Sequence, residues 1–112
     1  MNGLKFPQNQ SVEEAESEIR SHAQSLVRVK DLLEAESWRE AQKVLRRSSA
    51  LLKQDVYTMI QAKPSAAEAL LRSVQCGDEL DYAARDKDRI RAWDSYRTIL
   101  SSLEDIFSAI FN

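Results

Sequence analysis

The stretch Ser37 to Pro64, SWREAQKVLRRSSALLKQDVYTMIQAKP, constrains this chain more than any other. Trp38, Ala41, Leu45, Ser48, Leu52, Val56 and Met59 recur at helical spacing, and Leu51 and Ile60 widen the apolar stripe. Ser37 followed by Glu40 reads as a capping box, in which each side chain satisfies a backbone N–H left free by the first turn. Pro64 disfavours helical geometry at Lys63, so the spacing predicts a helix over 37–63. Such a helix is about 40 Å long at its rise of roughly 1.5 Å per residue, far beyond the globular average. Only partners of similar length can cover its stripe.

The flanking sequence supplies those partners. Val12, Ala15, Ile19, Ala23, Leu26, Val29 and Leu33 predict a helix over 11–35, opened by a second capping box at Ser11 and Glu14. Glu13, Glu14 and Glu16 suit the positive end of its dipole. The short link into Ser37 makes the two helices antiparallel neighbours. A third capping box, Ser65 with Glu68, opens a helix over 65–85 with Ala67, Leu70, Leu71, Val74, Leu80 and Ala84 expected inward. Gly77 within it permits either close packing or a local bend. After the charged turn Asp86–Lys87–Asp88, a helix over 88–110 is expected to bury Ile90, Trp93, Tyr96, Leu100, Leu103, Ile106, Phe107 and Ile110. Residues 1–10, with Gly3 and Pro7, read as an irregular lead-in that Leu4 and Phe6 would pin. The expectation is an all-α, four-helix up-down-up-down bundle over 11–112.

Composition narrows the function classes. With 112 residues the chain is long enough for one domain and its own core. Its formal charge of −2 argues against nucleic acid as a partner. No apolar run is long enough to span a membrane. Neither a secretory signal nor a transit peptide is visible, so the expectation is a cytosolic chain or the mature form of an imported one. Cys76 stands alone, without an internal disulfide or a thiolate cluster for zinc.

No catalytic arrangement emerges. His22 borders the apolar stripe of its helix and reads as a half-buried, hydrogen-bonded histidine rather than a base or ligand. No paired Glu-x-x-His motif supports a di-iron bundle, and no phosphate loop or Ser–His or Cys–His arrangement can be drawn. Cys76 reads as a small packing residue. Trp38 and Trp93 are core residues, or one of them meets a partner at the bundle end. No catalytic, cofactor-binding or metal-binding residue is assigned. Charge says more. Over 37–64 the basic residues Arg39, Lys43, Arg46, Arg47, Lys53 and Lys63 outnumber Glu40 and Asp55, whereas 11–36 is predominantly acidic. Either the two helices complement one another internally, or the second offers a positive strip to an acidic protein surface.

The motifs then become specific. Trp38, Gln42, Leu45, Arg46, Leu52, Asp55, Thr58, Ile60, Ala62, Lys63 and Pro64 fall without gaps on the W…Q..LR…..L..D..T.I.AKP pattern of the PsbQ family. Leu80, Asp81, Ala83 and Ala84 resemble its LD-x-AA segment, and Ala92 with Tyr96 a weaker element of its last helix. The resemblance covers about Ile19 to Ile110 and implies a four-helix up-down bundle. It further implies a non-enzymatic extrinsic subunit of the thylakoid lumen in chloroplasts, peripheral to the membrane and attached to intrinsic and other extrinsic subunits of a photosynthetic complex. In photosystem II such a protein stabilises the oxygen-evolving assembly and its retention of calcium and chloride, without ligating metals. A PsbQ-like branch instead builds the lumenal subcomplex of the chloroplast NADH dehydrogenase-like complex. The sequence departs from the green-plant photosystem II type in its net acidity and in lacking a long proline-rich amino-terminal arm. Photosystem II, as the family's principal host, is the first expectation. Lys43, Arg46, Arg47 and Lys53 are the expected docking residues, with Leu4 and Phe6 as a secondary contact. The competing class, reached without the resemblance, is a cytosolic helical adaptor that binds another helix in a groove.

Overall fold

A computed structural model describes residues 12–111 as four helices: α1 (Val12–Glu34), α2 (Trp38–Ala62), α3 (Ala67–Arg85) and α4 (Arg89–Phe111). A 3₁₀ turn, Pro64–Ala66, joins α2 to α3, and no strand occurs among the described residues. The expected all-α four-helix bundle is what forms. The lead-in 1–10, with Leu4 and Phe6, and the Ser11 end of the first capping box lie outside the described residues.

The helices end differently from the expectation. Glu36 and Lys87 take left-handed backbone angles, φ 55° and 56°. At the first turn the N–H of Glu36 donates to Leu33 O and that of Ser37 to Leu32 O; at the second, Lys87 donates to Ala84 O and Asp88 to Ala83 O. Both are Schellman motifs, built without the glycine usually found there. The two turns share one end of the bundle, where Arg89 Nη1 reaches Glu36 Oε2 at 2.8 Å. Ser37 begins α2 but its side chain makes no capping bond, so the predicted box with Glu40 does not form; Glu40 pairs with Lys43 instead. The box at Ser65 does not form either. Pro64 nucleates the 3₁₀ turn, α3 is capped by Ala66, and Glu68 pairs with Arg72. Asp88 Oδ1, by contrast, accepts the N–H of Arg91 and caps α4 with its side chain. Lys63 adopts an extended φ of −136° ahead of Pro64, the predicted helix stop.

The core runs the length of the bundle through Ile19, Leu26, Leu33, Leu45, Leu52, Met59, Leu70, Leu80, Ile99 and Ile106. Two helices are rotated relative to the expectation. On α3, Leu71 is 56% exposed while Ser73, Cys76, Gly77 and Ala83 are buried. On α4, Ile90 is 82% exposed and Leu100 40%, while Ala92, Ile99 and Ser102 are buried. Small residues on the inward faces allow close contact between helices, which offsets leaving a few larger side chains exposed. At Gly77 α3 continues unbroken, and a Cβ there would meet Ser49 Oγ of α2 at an ordinary contact distance of 3.4 Å. Neither a bend nor a steric conflict calls for glycine at this position. Leu51 is likewise exposed, Trp38 and Trp93 are half-buried against the core, and Asp55 is fully buried on α2. Tyr96 ties α4 to α1 by donating its hydroxyl to Leu26 O at 2.8 Å, with the Trp93 ring edge-on to it at 5.7 Å.

Candidate docking surface

Successive residues of a helix are rotated by about 100°. The residues flanking each core position on α2 therefore point to opposite neighbours. Those that follow a core position face α3: Gln42 after Ala41, Arg46 after Leu45, Lys53 after Leu52. Those that precede one face α1: Val44 before Leu45, Arg47 before Ser48, Leu51 before Leu52. The basic residues of α2 are divided between two seams.

On the α2–α3 seam they are engaged. Arg46 Nε lies 2.9 Å from Asp81 Oδ2 and 3.1 Å from Oδ1, and Gln42 Nε2 donates to Asp81 Oδ1 at 2.8 Å and to its carbonyl at 3.2 Å. The Asp81 side chain is only 20% exposed, so its carboxylate is sheltered, whereas the Arg46 side chain is 64% exposed and stays in contact with water. Lys53 Nζ pairs with Asp78 at 3.5 Å, both side chains being half exposed. A shallow depression of about 170 Å³ remains, floored by Gly77.

On the α1–α2 side a larger groove of about 540 Å³ opens, rimmed by Ser21, Ser25 and Arg28 of α1 and by Lys43, Val44 and Arg47 of α2, with Glu18 and Leu51 at one end. His22 Nδ1 and the Ser48 hydroxyl share a hydrogen bond on its floor. Burial lowers the His22 pKa from 6.5 to about 4, against the opposing effect of the Ser48 bond, so the ring is neutral at pH 7. Lys43 pairs only with Glu40, one turn back, and Arg28 and Arg47 have no ion-pair partner among the described residues. Of the expected docking residues, then, Lys43 and Arg47 share this groove, Arg46 and Lys53 lie on the opposite seam, and Leu4 and Phe6 fall outside the described residues. Arg28 was missed by the sequence reading. The available signal was its position before the core residue Val29, as Ser21 and Ser25 stand before His22 and Leu26.

Chemistry is sparse. The Cys76 thiol is buried, and burial, followed by the nearby Glu79, pushes its pKa up, so it holds no thiolate at neutral pH. Among the described residues no group of three or more His, Cys, Asp or Glu side chains could hold a metal, and no helix is long and apolar enough to cross a membrane.

Most of the family-like residues prove to be internal. Leu45, Leu52, Asp55, Thr58 and Leu80 are buried, Trp38 and Ile60 pack partly against the core, and Lys63 with Pro64 makes the α2–α3 turn. Gln42, Arg46 and Asp81 are the clamp between α2 and α3. Comparison with known proteins agrees with the resemblance. The family model for PsbQ, oxygen evolving enhancer protein 3, matches residues 2–110. The chain is 39% identical over 106 residues to PsbQ-like protein 3, chloroplastic, of Arabidopsis thaliana, covering 89% of this chain and 57% of that protein. It is 31% identical over 102 residues to oxygen-evolving enhancer protein 3-2, chloroplastic, of the same plant, covering 87% of this chain and 44% of the relative. The chain thus spans about half the length of the curated relatives it matches. By the family model over residues 2–110 and the 39% identity to a PsbQ-like protein, the chain belongs to the PsbQ family.

Proposed function

We propose that this chain is a non-enzymatic extrinsic subunit, peripheral on the lumenal side of a chloroplast thylakoid complex, that stabilises the assembly it joins. The observation that carries the reading is that the residues shared with the PsbQ pattern build and brace the bundle instead of assembling a reactive site. A long body clamped between α2 and α3 acts by stiffness. Seated on lumenal loops of intrinsic and other extrinsic subunits, it restricts their motion and limits solvent and ion exchange. Lys43 and Arg47 are the foremost docking residues, Arg46 and Lys53 contribute what their internal partners leave available, and Leu4 and Phe6 make a secondary contact.

Its host, in this reading, is the lumenal subcomplex of the chloroplast NADH dehydrogenase-like complex. Higher identity to PsbQ-like protein 3 than to the oxygen-evolving enhancer proteins supports this choice over the photosystem II expectation, as does the net charge of −2. A second reading, supported by the relatives named oxygen-evolving enhancer protein 3, makes it a photosystem II subunit that helps retain calcium and chloride. Affinity purification from thylakoids carrying a tagged copy distinguishes them. Co-purification with dehydrogenase-like subunits is expected. Recovery with photosystem II core subunits would transfer the assignment, and recovery from the cytosol would sink both readings in favour of a helical adaptor.

A further inference from the structure

The groove between α1 and α2 has a shape and charge that its sequence explains. Ser21 and Ser25 are small where a bundle flank commonly carries long side chains, and Ser25 Oγ turns back to donate to Ser21 O at 3.2 Å. The trough above the His22–Ser48 bridge is consequently left unfilled. From Glu18 to Arg28 it extends about 15 Å along α1, the span of four or five residues of extended polypeptide. Val44 and Leu51 supply apolar lining, while Arg28 stands on one rim and Lys43 and Arg47 on the other. Two acidic residues line it against three cations: Glu40 is already paired with Lys43, and Glu18 stands at the end away from Arg28. A molecule that is acidic overall thus carries a local basic groove whose two guanidinium groups have no ion-pair partner among the described residues.

We infer that this groove receives an extended acidic segment of a partner protein, with carboxylates on Arg28 and Arg47 and intervening apolar side chains on Val44 and Leu51. Planar guanidinium groups favour carboxylate in paired hydrogen bonds. Alternation along an extended chain sends successive side chains to opposite sides, which matches basic rims above a partly apolar trough. The inference rests on the reading of the chain as a docking subunit and specifies which of its faces docks.

A probe separates the two. Titration of the isotopically labelled chain with a short synthetic peptide alternating aspartate and leucine should move the amide resonances of Ser21, Ser25, Val44 and Ser48, in a saturable and salt-sensitive manner. The double variant Arg28→Glu/Arg47→Glu should bind the peptide at least about tenfold more weakly, and Arg28→Gln/Arg47→Gln should fall between. Both retain wild-type helicity, because the substituted side chains are exposed and unpaired within the described bundle. Arg97→Gln, at an exposed position of α4 away from the groove, should leave peptide affinity within about twofold of wild type. An equal response to a lysine–leucine peptide, shifts confined to the α2–α3 seam, or no loss in the Arg28/Arg47 variants would each overturn the inference. Should those variants also join the thylakoid complex as wild type does, the docking reading would survive and the groove assignment would not.

Discussion

The two flanks of α2 carry similar side chains and do different things with them. On the α3 side Arg46 and Lys53 meet Asp81 and Asp78, and the seam is braced and nearly filled. Towards α1, Arg47 has no ion-pair partner among the described residues and Lys43 has only the exposed Glu40 one turn back. Serines and a neutral histidine lie beside them, and the seam is left open. Cations opposite carboxylates hold helices together, whereas the same cations beside small neutral residues remain available to another molecule. A basic excess on a helix consequently says nothing of docking until its neighbours are known.

The largest effect expected of this contrast is on the open side. His22 binds its proton less readily in the fold than in the unfolded chain, its pKa being lowered to about 4. Its contribution is therefore fully present above pH 6.5 and lost as pH falls through that value towards 4. The loss amounts to about 3 kcal/mol by pH 4, because each tenfold weakening of proton binding is worth roughly 1.4 kcal/mol. Urea unfolding at pH 7 and pH 4 should reveal it, and the double variant His22→Leu/Ser48→Ala should show a correspondingly flatter acid limb. Equal acid sensitivity in both proteins would mean that the groove floor is not what titrates.

Next in size is the braced side. Asp81→Ala removes the acceptor of both Gln42 and Arg46 from a mostly buried position, and should lower unfolding free energy by about 2 kcal/mol. If the loss were instead no greater than for an exposed ion pair, the clamp would not distinguish this seam. Gly77→Ala sharpens the comparison from the opposite direction. The added methyl meets Ser49 Oγ at ordinary contact distance, so higher helix propensity should stabilise the protein by about 1 kcal/mol, read as a raised Tm. The smallest effect belongs to Lys53→Ala: the pair with Asp78 is half exposed, and chemical denaturation should register less than about 0.5 kcal/mol.

Much of this was legible beforehand, for reasons visible at particular residues. Long runs of helical period such as Ala41–Leu45–Leu52–Met59 fix the existence and length of the helices. The short links at Glu36 and Lys87 leave antiparallel pairing as the compact solution. Leu71, Ile90 and Leu100 were expected inward because size dominates a reading of hydrophobic pattern, whereas the buried small residues Ala83, Ala92 and Ser102 mark the faces that the helices turn inward. Side-chain type alone suggests caps at Ser37 and Ser65. There, backbone bonds of the preceding turn and the ring of Pro64 take over the geometry. The groove is harder to find, since Arg28 and Arg47 belong to different helices and only packing brings them to one trough.

By itself the sequence determined four amphipathic helices, their order, their antiparallel pairing and membership of a family, because periodicity and loop length are local properties of the chain. It also determined that the cations of α2 lie on both flanks of the core stripe, since adjacent residues are rotated by about 100°. Which flank meets α1 and which meets α3 depends on the hand of the bundle. That was decided only by tertiary packing, where Asp78 and Asp81 neutralise one flank and Ser21, Ser25 and His22 leave the other open.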